Sequence, residues 1–294
     1  MSDITIINDT QQSQLVTNGL AKNGELYLKA EGSTDAGSVV VYDSGAWRTF
    51  ANDYVSGLSN QYSVNFDGAN DYIAAVSDPG LDIYSLSFWF KTTQTNYNLP
   101  VGGFGYGGNS SYGGVRFNAG AGRLIEVNNG VQYIAAGNVT ASDFRDGAWH
   151  NITIVYVPSG YTTSTGTASS GGKGYKIFLD GTRVDTNLGS TSHTYNLMST
   201  TSTFKAGREG ARNSYFFQGL MDELAIFGSS LSDSDVTAIY NSGAPADLSS
   251  YSPTLWWRMG DNDGGTGTTI TDQGSGSTNG TLTNGPTFST EVPS

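Results

Sequence analysis

The sequence contains no cysteine and little charge, and both shortages narrow the classes of protein to which it can belong. Without cysteine, neither a disulfide framework nor a thiolate metal site can form. Charged residues make up 14% of the chain and aromatic residues 12%, whereas charge-driven disorder requires high net charge with few aromatic residues. The composition therefore favours a folded protein whose stability comes from packing.

Long apolar runs are also missing, and basic residues are few. No run approaches the roughly 20 residues that a membrane helix requires, and the start, MSDITIINDTQQ, lacks the basic and apolar regions of a signal peptide. The net charge of −12 argues against binding to nucleic acid or to anionic membranes. We therefore expect neither nucleic acid partners nor membrane insertion.

What the sequence does contain is glycine, tyrosine and short alternating segments. There are 40 glycines and 17 tyrosines, a mixture typical of aromatic-lined sheets joined by tight turns. The segment LSFWFK places Leu86, Phe88 and Phe90 on one face of a strand. KIFLDGTRV predicts a hairpin that turns at Asp180 and Gly181. DGAWHNITIVYV is apolar on both faces and predicts a central strand, so the fold class is all-β.

Residues 1–60 differ from the remainder of the chain. After a polar arm, the segment predicts a hairpin of Val39–Tyr42 and Trp47–Phe50, which is too small to hold a core alone. It must therefore pack on the main domain or on copies of itself. The fragment GSVVVYDSGAWRTFAND resembles a short segment found in structural proteins of tailed phages. We predict an attachment module over residues 1–60 and a second domain over residues 61–294.

A strand followed by a helix stands out near residue 220. With a period of two, FFQGLMDELAIFG places Asp222 with Leu224 and Ile226 on one face, and Glu223 on the opposite face. A carboxylate that faces a core must be paired, hydrogen-bonded or metal-bound. The helix that follows has Ser232 as its predicted N-cap and Gly243 at its predicted end.

Together, FDGANDYI, LSFWFK, DGAWHNITIVY, KIFLDGTRV and the strand–helix segment resemble a laminin-G-like, concanavalin A-like jelly-roll domain over residues 62–243. The resemblance implies two antiparallel sheets packed face to face, with one short helix. Many family members carry a segment like LWWRMGDNDG before the first of these motifs, whereas here it comes at the end. We expect residues 251–290 to supply permuted edge strands, with Phe288 near residues 62–66. A domain swap into a neighbouring subunit is the alternative.

The resemblance also implies a calcium site. Family members often bind Ca²⁺ through oxygen ligands at positions that correspond here to Asn70, Asp71 and Asp222. In the alternative interpretation, Asp222 accepts hydrogen bonds from backbone amides, and Asn70 or Asp71 forms a turn.

Enzymatic activity is not expected. Glucanases related to this fold carry closely spaced carboxylates on one strand, in a pattern like E-x-D-x-x-E, which does not occur here. Asp222 and Glu223 are adjacent, and the predicted opposite faces would prevent them from flanking one glycosidic bond. His150, one of two histidines, lies in a strand motif and has no nucleophile nearby in the sequence.

The glycine- and tyrosine-rich stretch of residues 95–114 is a candidate recognition surface, since tyrosine offers a large rigid contact area at low entropic cost. Its candidate ligand-binding residues are Tyr97, Phe104, Tyr106 and Tyr112. In the alternative, these rings pack back onto the sandwich.

We expect a phage virion protein that decorates the capsid or forms part of a head or tail fibre. We expect it to be located in the virion, to form a homo-oligomer such as a trimer, and to have a cell-surface glycan as a partner. The alternative is a secreted bacterial carbohydrate-binding module.

Overall fold

The computed structural model describes residues 59–106, 112–119, 124–129 and 132–294, together with four short strands before them. The chain divides into two compact units, Met1–Ser59 and Asn60–Ser294. No helix among the described residues is long and apolar enough to span a membrane.

The first unit contains one four-stranded sheet. Its strands are β1 (Thr5–Ile7), β2 (Leu26–Lys29), β3 (Val39–Asp43) and β4 (Ala46–Thr49), in the order β1-β2-β3-β4. Strands β3 and β4 pair antiparallel, so the predicted hairpin is present with its strand bounds shifted by one residue. The arm and the turn of this hairpin lie outside the described residues.

The described residues of the second unit form two sheets and one α-helix. Its strands are β5 (Ser63–Asp67), β6 (Tyr72–Ala75), β7 (Ser85–Lys91), β8 (Asn98–Gly105), β9 (Gly113–Phe117), β10 (Ile125–Asn128), β11 (Tyr133–Ala136), β12 (Trp149–Val157), β13 (Gly174–Leu179), β14 (Thr182–Arg183), β15 (Asp185–Leu188), β16 (Ser199–Ala206), β17 (Gln218–Phe227), β18 (Leu255–Trp257), β19 (Thr269–Ile270), β20 (Gly280–Thr283) and β21 (Thr287–Ser289). The helix α1 spans Asp233–Tyr240, and short 3₁₀ helices span Ala141–Asp143, Ser170–Gly172, Asn241–Gly243 and Ser249–Tyr251.

The strand pairs described in the second unit are all antiparallel, and they form two sheets. The nine-stranded sheet has the order β15-β11-β10-β9-β8-β16-β6-β20-β19. The eight-stranded sheet has the order β14-β13-β12-β7-β17-β5-β21, with β18 paired to β17. The two-sheet jelly-roll sandwich predicted from the sequence is therefore confirmed.

The core lies between the sheets and follows the alternation of the sequence. Leu86, Phe88 and Phe90 of β7 belong to the continuous hydrophobic core. Strand β12 pairs with β13 on one side and β7 on the other, as expected for a central strand. The hairpin turn at Asp180 and Gly181 has positive φ at both residues, the conformation that an Asp-Gly pair favours.

Helix α1 covers the eight-stranded sheet on the face turned away from this core. The Ser232 hydroxyl accepts a hydrogen bond from the Asp235 amide at 3.1 Å, so the predicted N-cap is present. The helix ends earlier than predicted, because Asn241 rather than Gly243 adopts the left-handed C-cap conformation, with φ 45°. Asparagine tolerates this conformation better than most residues. The Tyr240 ring stacks on Trp89 at 5.7 Å.

The last strands complete both sheets within the same chain. Strand β21 pairs with β5, with Phe288 opposite Val64, and β20 pairs with β6. Strand β18 pairs with β17. Residues 251–290 thus pair in cis with strands of both sheets, and β19 and β21 lie at sheet edges.

Candidate functional site

The surface loop that joins β16 to β17 lies across the outer face of the nine-stranded sheet, the face turned away from the core. Gly102 of β8 makes this possible, because a Cβ there would lie 2.6 Å from the Arg208 carbonyl oxygen. The Leu99 amide donates to the Tyr215 carbonyl at 3.0 Å and fixes the far end of the loop. The loop of residues 207–217 is therefore held against β8.

This loop, the residues just before β8 and β9, and strand β9 itself bring five side chains into one continuous surface. We call it the tyrosine–arginine strip: Tyr97, Tyr112, Arg116, Arg212 and Tyr215. Tyr97 and Tyr215 pack edge to face with ring centroids 4.5 Å apart. The guanidinium of Arg116 lies 5.8 Å from the centre of the Tyr97 ring, and it donates to the Tyr112 carbonyl at 2.9 Å. Arg212 stacks over Tyr112 at 4.3 Å.

The strip presents aromatic surface to solvent. Tyr112 is 40% exposed and Tyr215 is 41% exposed, so both rings are accessible to a ligand. Tyr215 also has φ 60°, a left-handed backbone conformation that a bulky residue adopts only when its surroundings impose it. Burial, the largest effect, raises the pKa of the half-buried Tyr97 hydroxyl to about 12. Tyr97 is therefore a neutral hydrogen-bonding group at physiological pH.

Two buried carboxylates anchor the strip from below. Glu126 lies 3.8 Å from the Arg116 guanidinium and also accepts a hydrogen bond from Asn118. The Glu209 carboxylate accepts a hydrogen bond from the Ser214 hydroxyl at 2.9 Å inside the loop. Because these contacts constrain Arg116 and the loop before a ligand arrives, the strip is pre-organised.

Of the four predicted ligand-binding residues, the structure brings Tyr97 and Tyr112 together in the strip. The prediction for Phe104 is wrong, because that side chain is fully buried in the core and stacks with Phe204. Tyr106 is 49% exposed, but it follows the last residue of β8, whereas Tyr97 precedes the first residue of that strand. Tyr106 is therefore not part of the strip.

The predicted calcium ligands do not form one site. Asp71 is buried and accepts a hydrogen bond from the Asp67 amide, whereas Asn70 is exposed in the same turn. Asp67 pairs with Gln218, which lies four residues before Asp222 on β17. At about 3.3 Å per residue, this separation places Asp222 about 13 Å along the strand from the turn. Among the described residues, no group of three or more His, Asp or Glu side chains is arranged to hold a metal ion.

Asp222 instead belongs to a buried polar cluster with Glu223. A β-bulge interrupts β17 after Asp222, and Glu223 has φ 48°. Asp222 lies opposite Trp89, and Glu223 accepts hydrogen bonds from the indole of Trp256 and from Arg258. Neither tryptophan belongs to the core, so both carboxyl groups lie on the outer face of the eight-stranded sheet. The predicted opposite faces are therefore wrong, because the bulge adds a residue and reverses the alternation.

Both carboxyl groups in this cluster are more basic than usual. Burial, followed by the charge of Glu223, raises the pKa of Asp222 well above its ordinary value. Burial likewise raises the pKa of Glu223 to about 7, although Arg258 opposes the shift. The Asp222 carboxylate accepts from the Asn60 side chain at 3.0 Å. Both acids are almost fully buried, which leaves no space for a sugar beside them.

The eight-stranded sheet carries a cleft. It has a volume of about 330 Å³, and its lining includes Asn65, Lys91, Thr92, Gln218 and Leu220. The Lys91 ammonium is already paired with Glu291, which also lines the cleft. No pair of aromatic rings lines it, in contrast to the strip.

A family model described as the concanavalin A-like lectin/glucanases superfamily matches residues 67–237, which is more than half of the chain. The chain belongs to this superfamily. No curated protein matches the chain. Among solved structures, this superfamily member is similar to a Bacteroides ovatus protein thought to bind carbohydrate, with a TM-score of 0.51 and 18% identity over 92% of this chain and 71% of that one.

Two other solved structures show a weaker likeness to this superfamily member. One is a heptameric SAP-like pentraxin from Limulus polyphemus, with a TM-score of 0.44 and 12% identity over 62% of this chain and 82% of that one. Another is domain 4 of an extracellular arabinanase from Geobacillus stearothermophilus in complex with arabinotriose. Its TM-score is 0.38 and its identity 14%, over 77% of this chain and 95% of that one. Only the likeness to the Bacteroides ovatus protein supports the fold, and at 18% identity it supports the fold alone.

Sequence reasoning missed three members of the strip: Arg116, Arg212 and Tyr215. Arg116 lies only two residues after residues 95–114, the predicted recognition surface. Arg212 and Tyr215 lie about one hundred residues further along the chain. Only the pairing of β8 with β9 and the close approach at Gly102 bring them together. The sequence signal that could have identified the loop is the glycine-rich segment AGREGARNSY between two strands.

Proposed function

We propose that residues 60–294 form a non-catalytic glycan-binding domain whose ligand lies on the tyrosine–arginine strip. One observation carries the proposal: three tyrosine rings and two guanidinium groups form a continuous, partly exposed surface on a rigid sheet. Tyrosine rings offer flat apolar area together with a polar hydroxyl, which suits the alternating apolar and polar faces of a sugar. Arginine adds directed hydrogen-bond donors.

The test is a glycan array followed by calorimetry with the best ligand. The double substitution Tyr97→Ala and Tyr215→Ala should weaken binding at least tenfold, because it removes the packed ring pair. Tyr106→Ala is the matched control, since Tyr106 is comparably exposed but lies outside the strip. Equal loss in the control, or no loss in the double variant, would contradict the assigned surface.

We also propose that the domain does not hydrolyse its ligand. The Asp222 and Glu223 carboxyls are buried beneath Asn60 and Trp256, and His150 is held between Asp180 and Asp146 at 2.7 and 3.1 Å. This arrangement supports a structural role for all three side chains. Release of reducing ends from a bound oligosaccharide would contradict the proposal.

The N-terminal unit is proposed to attach the domain to a phage particle, as a capsid decoration or fibre component. The similarity of residues 37–53 to segments of tailed-phage structural proteins supports this role. A chain lacking residues 1–59 should remain folded and bind glycan but be absent from purified particles. Light scattering of the full chain tests the accompanying proposal of a homo-oligomer, which we expect to be a trimer. Incorporation of the truncated chain would contradict the attachment role and favour the alternative, a secreted carbohydrate-binding module.

A further inference from the structure

A second cationic group lies on the same outer face of the nine-stranded sheet, on the β6 side of the 207–217 loop. It consists of Tyr72, Lys205 and Arg208, and we call it the Tyr72 site. The Arg208 guanidinium lies 4.3 Å from the centre of the Tyr72 ring, and the Lys205 ammonium lies 5.7 Å from it. Two positive charges therefore share one aromatic ring.

These two charges have no carboxylate partner among the residues that the structure describes. Four cations of the eight-stranded sheet and its edges, in contrast, form ion pairs with acids: Lys91 with Glu291, Lys176 with Asp233, Arg183 with Asp185, and Arg258 with Glu223. Arg208 instead donates to the Asn213 side chain at 2.6 Å, and its buried Nε atom has no hydrogen-bond partner.

The positive charges also repel each other. Burial, as the larger effect, and the nearby charge of Arg208 both lower the pKa of the Lys205 ammonium. A bound anion would relieve this repulsion. The site is therefore incomplete as a purely structural arrangement, because nothing described in the chain supplies the compensating charge.

The fold connects this site to the tyrosine–arginine strip. Lys205 pairs with Ala74 on β6, two residues from Tyr72, so both side chains lie on the same outer face. Arg208 begins the loop that carries Arg212 and Tyr215, and Asn213 ties it to that loop. A sugar chain lying on the strip can reach the Tyr72 site by crossing this single loop.

We propose that the Tyr72 site binds the carboxylate or sulfate group of an acidic sugar, so that the ligand of the strip is an anionic glycan. This proposal rests on the glycan-binding function proposed above. The guanidinium and ammonium groups offer donors to the anion, and the Tyr72 ring offers a flat surface to the sugar. With a net charge of −12, the rest of the protein repels such a ligand, which confines it to this face.

The test compares acidic oligosaccharides with neutral forms of the same chain by calorimetry. Three matched pairs separate the sources of the anion: oligogalacturonate and its methyl ester, sulfated and unsulfated cello-oligosaccharides, and sialyllactose and its methyl ester. The full-length protein should bind the acidic member of at least one pair about tenfold more tightly, with an affinity that falls as salt is raised.

Four variants then assign the preference to the site. Arg208→Gln and Lys205→Gln should each reduce the acidic-to-neutral affinity ratio about threefold or more, whereas Arg208→Lys should retain most of it. Lys176→Gln is the matched control, because it removes a partly exposed lysine charge from the other sheet and should leave the ratio unchanged.

Each outcome separates this proposal from the general function. Equal binding of acidic and neutral forms, or an unchanged ratio in Arg208→Gln, would overturn the anion site while glycan binding stands. Absence of binding to every member of the panel, together with a negative glycan array, would overturn both.

Discussion

The cluster on β17 predicts that Glu223→Gln stabilises the protein at alkaline pH. Burial raises the folded-state pKa of Glu223 from 4.5 to about 7, so the protonated form favours the folded state. The associated stability is fully present below about pH 4.5 and is lost as the pH rises through about 7. A shift of this size corresponds to about 3 kcal/mol, and Gln, which carries no charge at either pH, does not incur the loss.

Urea unfolding at pH 5 and pH 8, followed by tryptophan fluorescence, measures the effect. The variant and the wild type should have similar free energies of unfolding at pH 5, with the variant more stable by up to about 3 kcal/mol at pH 8. Burial lowers the pKa of His150, but hydrogen bonds to two aspartates outweigh this effect, so the pKa is raised. The shift is the same in both proteins and therefore cancels in the comparison.

Asp233→Asn is the control, because Asp233 is an exposed carboxylate paired with Lys176, and its removal should leave the wild-type pH dependence unchanged. A Glu223→Gln variant that is less stable than the wild type at pH 8 would refute the reasoning. It would show that the ion pair with Arg258 outweighs the cost of burying the charge.

Three further predictions concern the loop, the core and calcium. Gly102→Ala should displace the 207–217 loop, because its Cβ would lie 2.6 Å from the Arg208 carbonyl oxygen. Calorimetry should then show glycan binding weakened about tenfold, or by about 1.4 kcal/mol. Gly228→Ala is the control and should leave glycan binding unchanged, because the added Cβ meets only the Thr254 methyl group at 3.3 Å. Phe104→Ala should cost about 3–5 kcal/mol in urea unfolding, as a core substitution does; a cost below 1 kcal/mol would contradict its burial. Asp222 lies apart from Asn70 and Asp71. Any rise in Tm on adding calcium after chelation should therefore still occur in Asp222→Asn and be absent in Asp71→Asn. An unchanged Tm in the wild type would contradict the prediction of a calcium site.

The alternation of apolar residues was enough to predict the sandwich, because inward residues such as Phe88 and Phe90 recur with a strict period of two. The same rule failed at Asp222 and Glu223, where a bulge with positive φ at a glutamate reverses the faces. Glutamate carries no sequence signal for a left-handed backbone, so the shared buried cluster could not be predicted locally.

The candidate site was only partly predictable for a different reason. Tyr97 and Tyr112 could be selected because tyrosines in a glycine-rich loop are typical of recognition surfaces. Phe104, in the same stretch, continues β8 into the core, and only strand pairing distinguishes the two cases. Tyr215 and Arg212 reach the strip through a tertiary contact at Gly102, which no short-range pattern encodes.

Chemical-shift mapping during titration with a glycan locates the ligand on the protein. At saturating ligand, the largest amide shifts should lie around Tyr97, Arg116 and the 207–217 loop. Shifts concentrated instead around Asn65, Lys91 and Gln218 would place the ligand in the cleft of the eight-stranded sheet and would exclude the tyrosine–arginine strip as the binding surface.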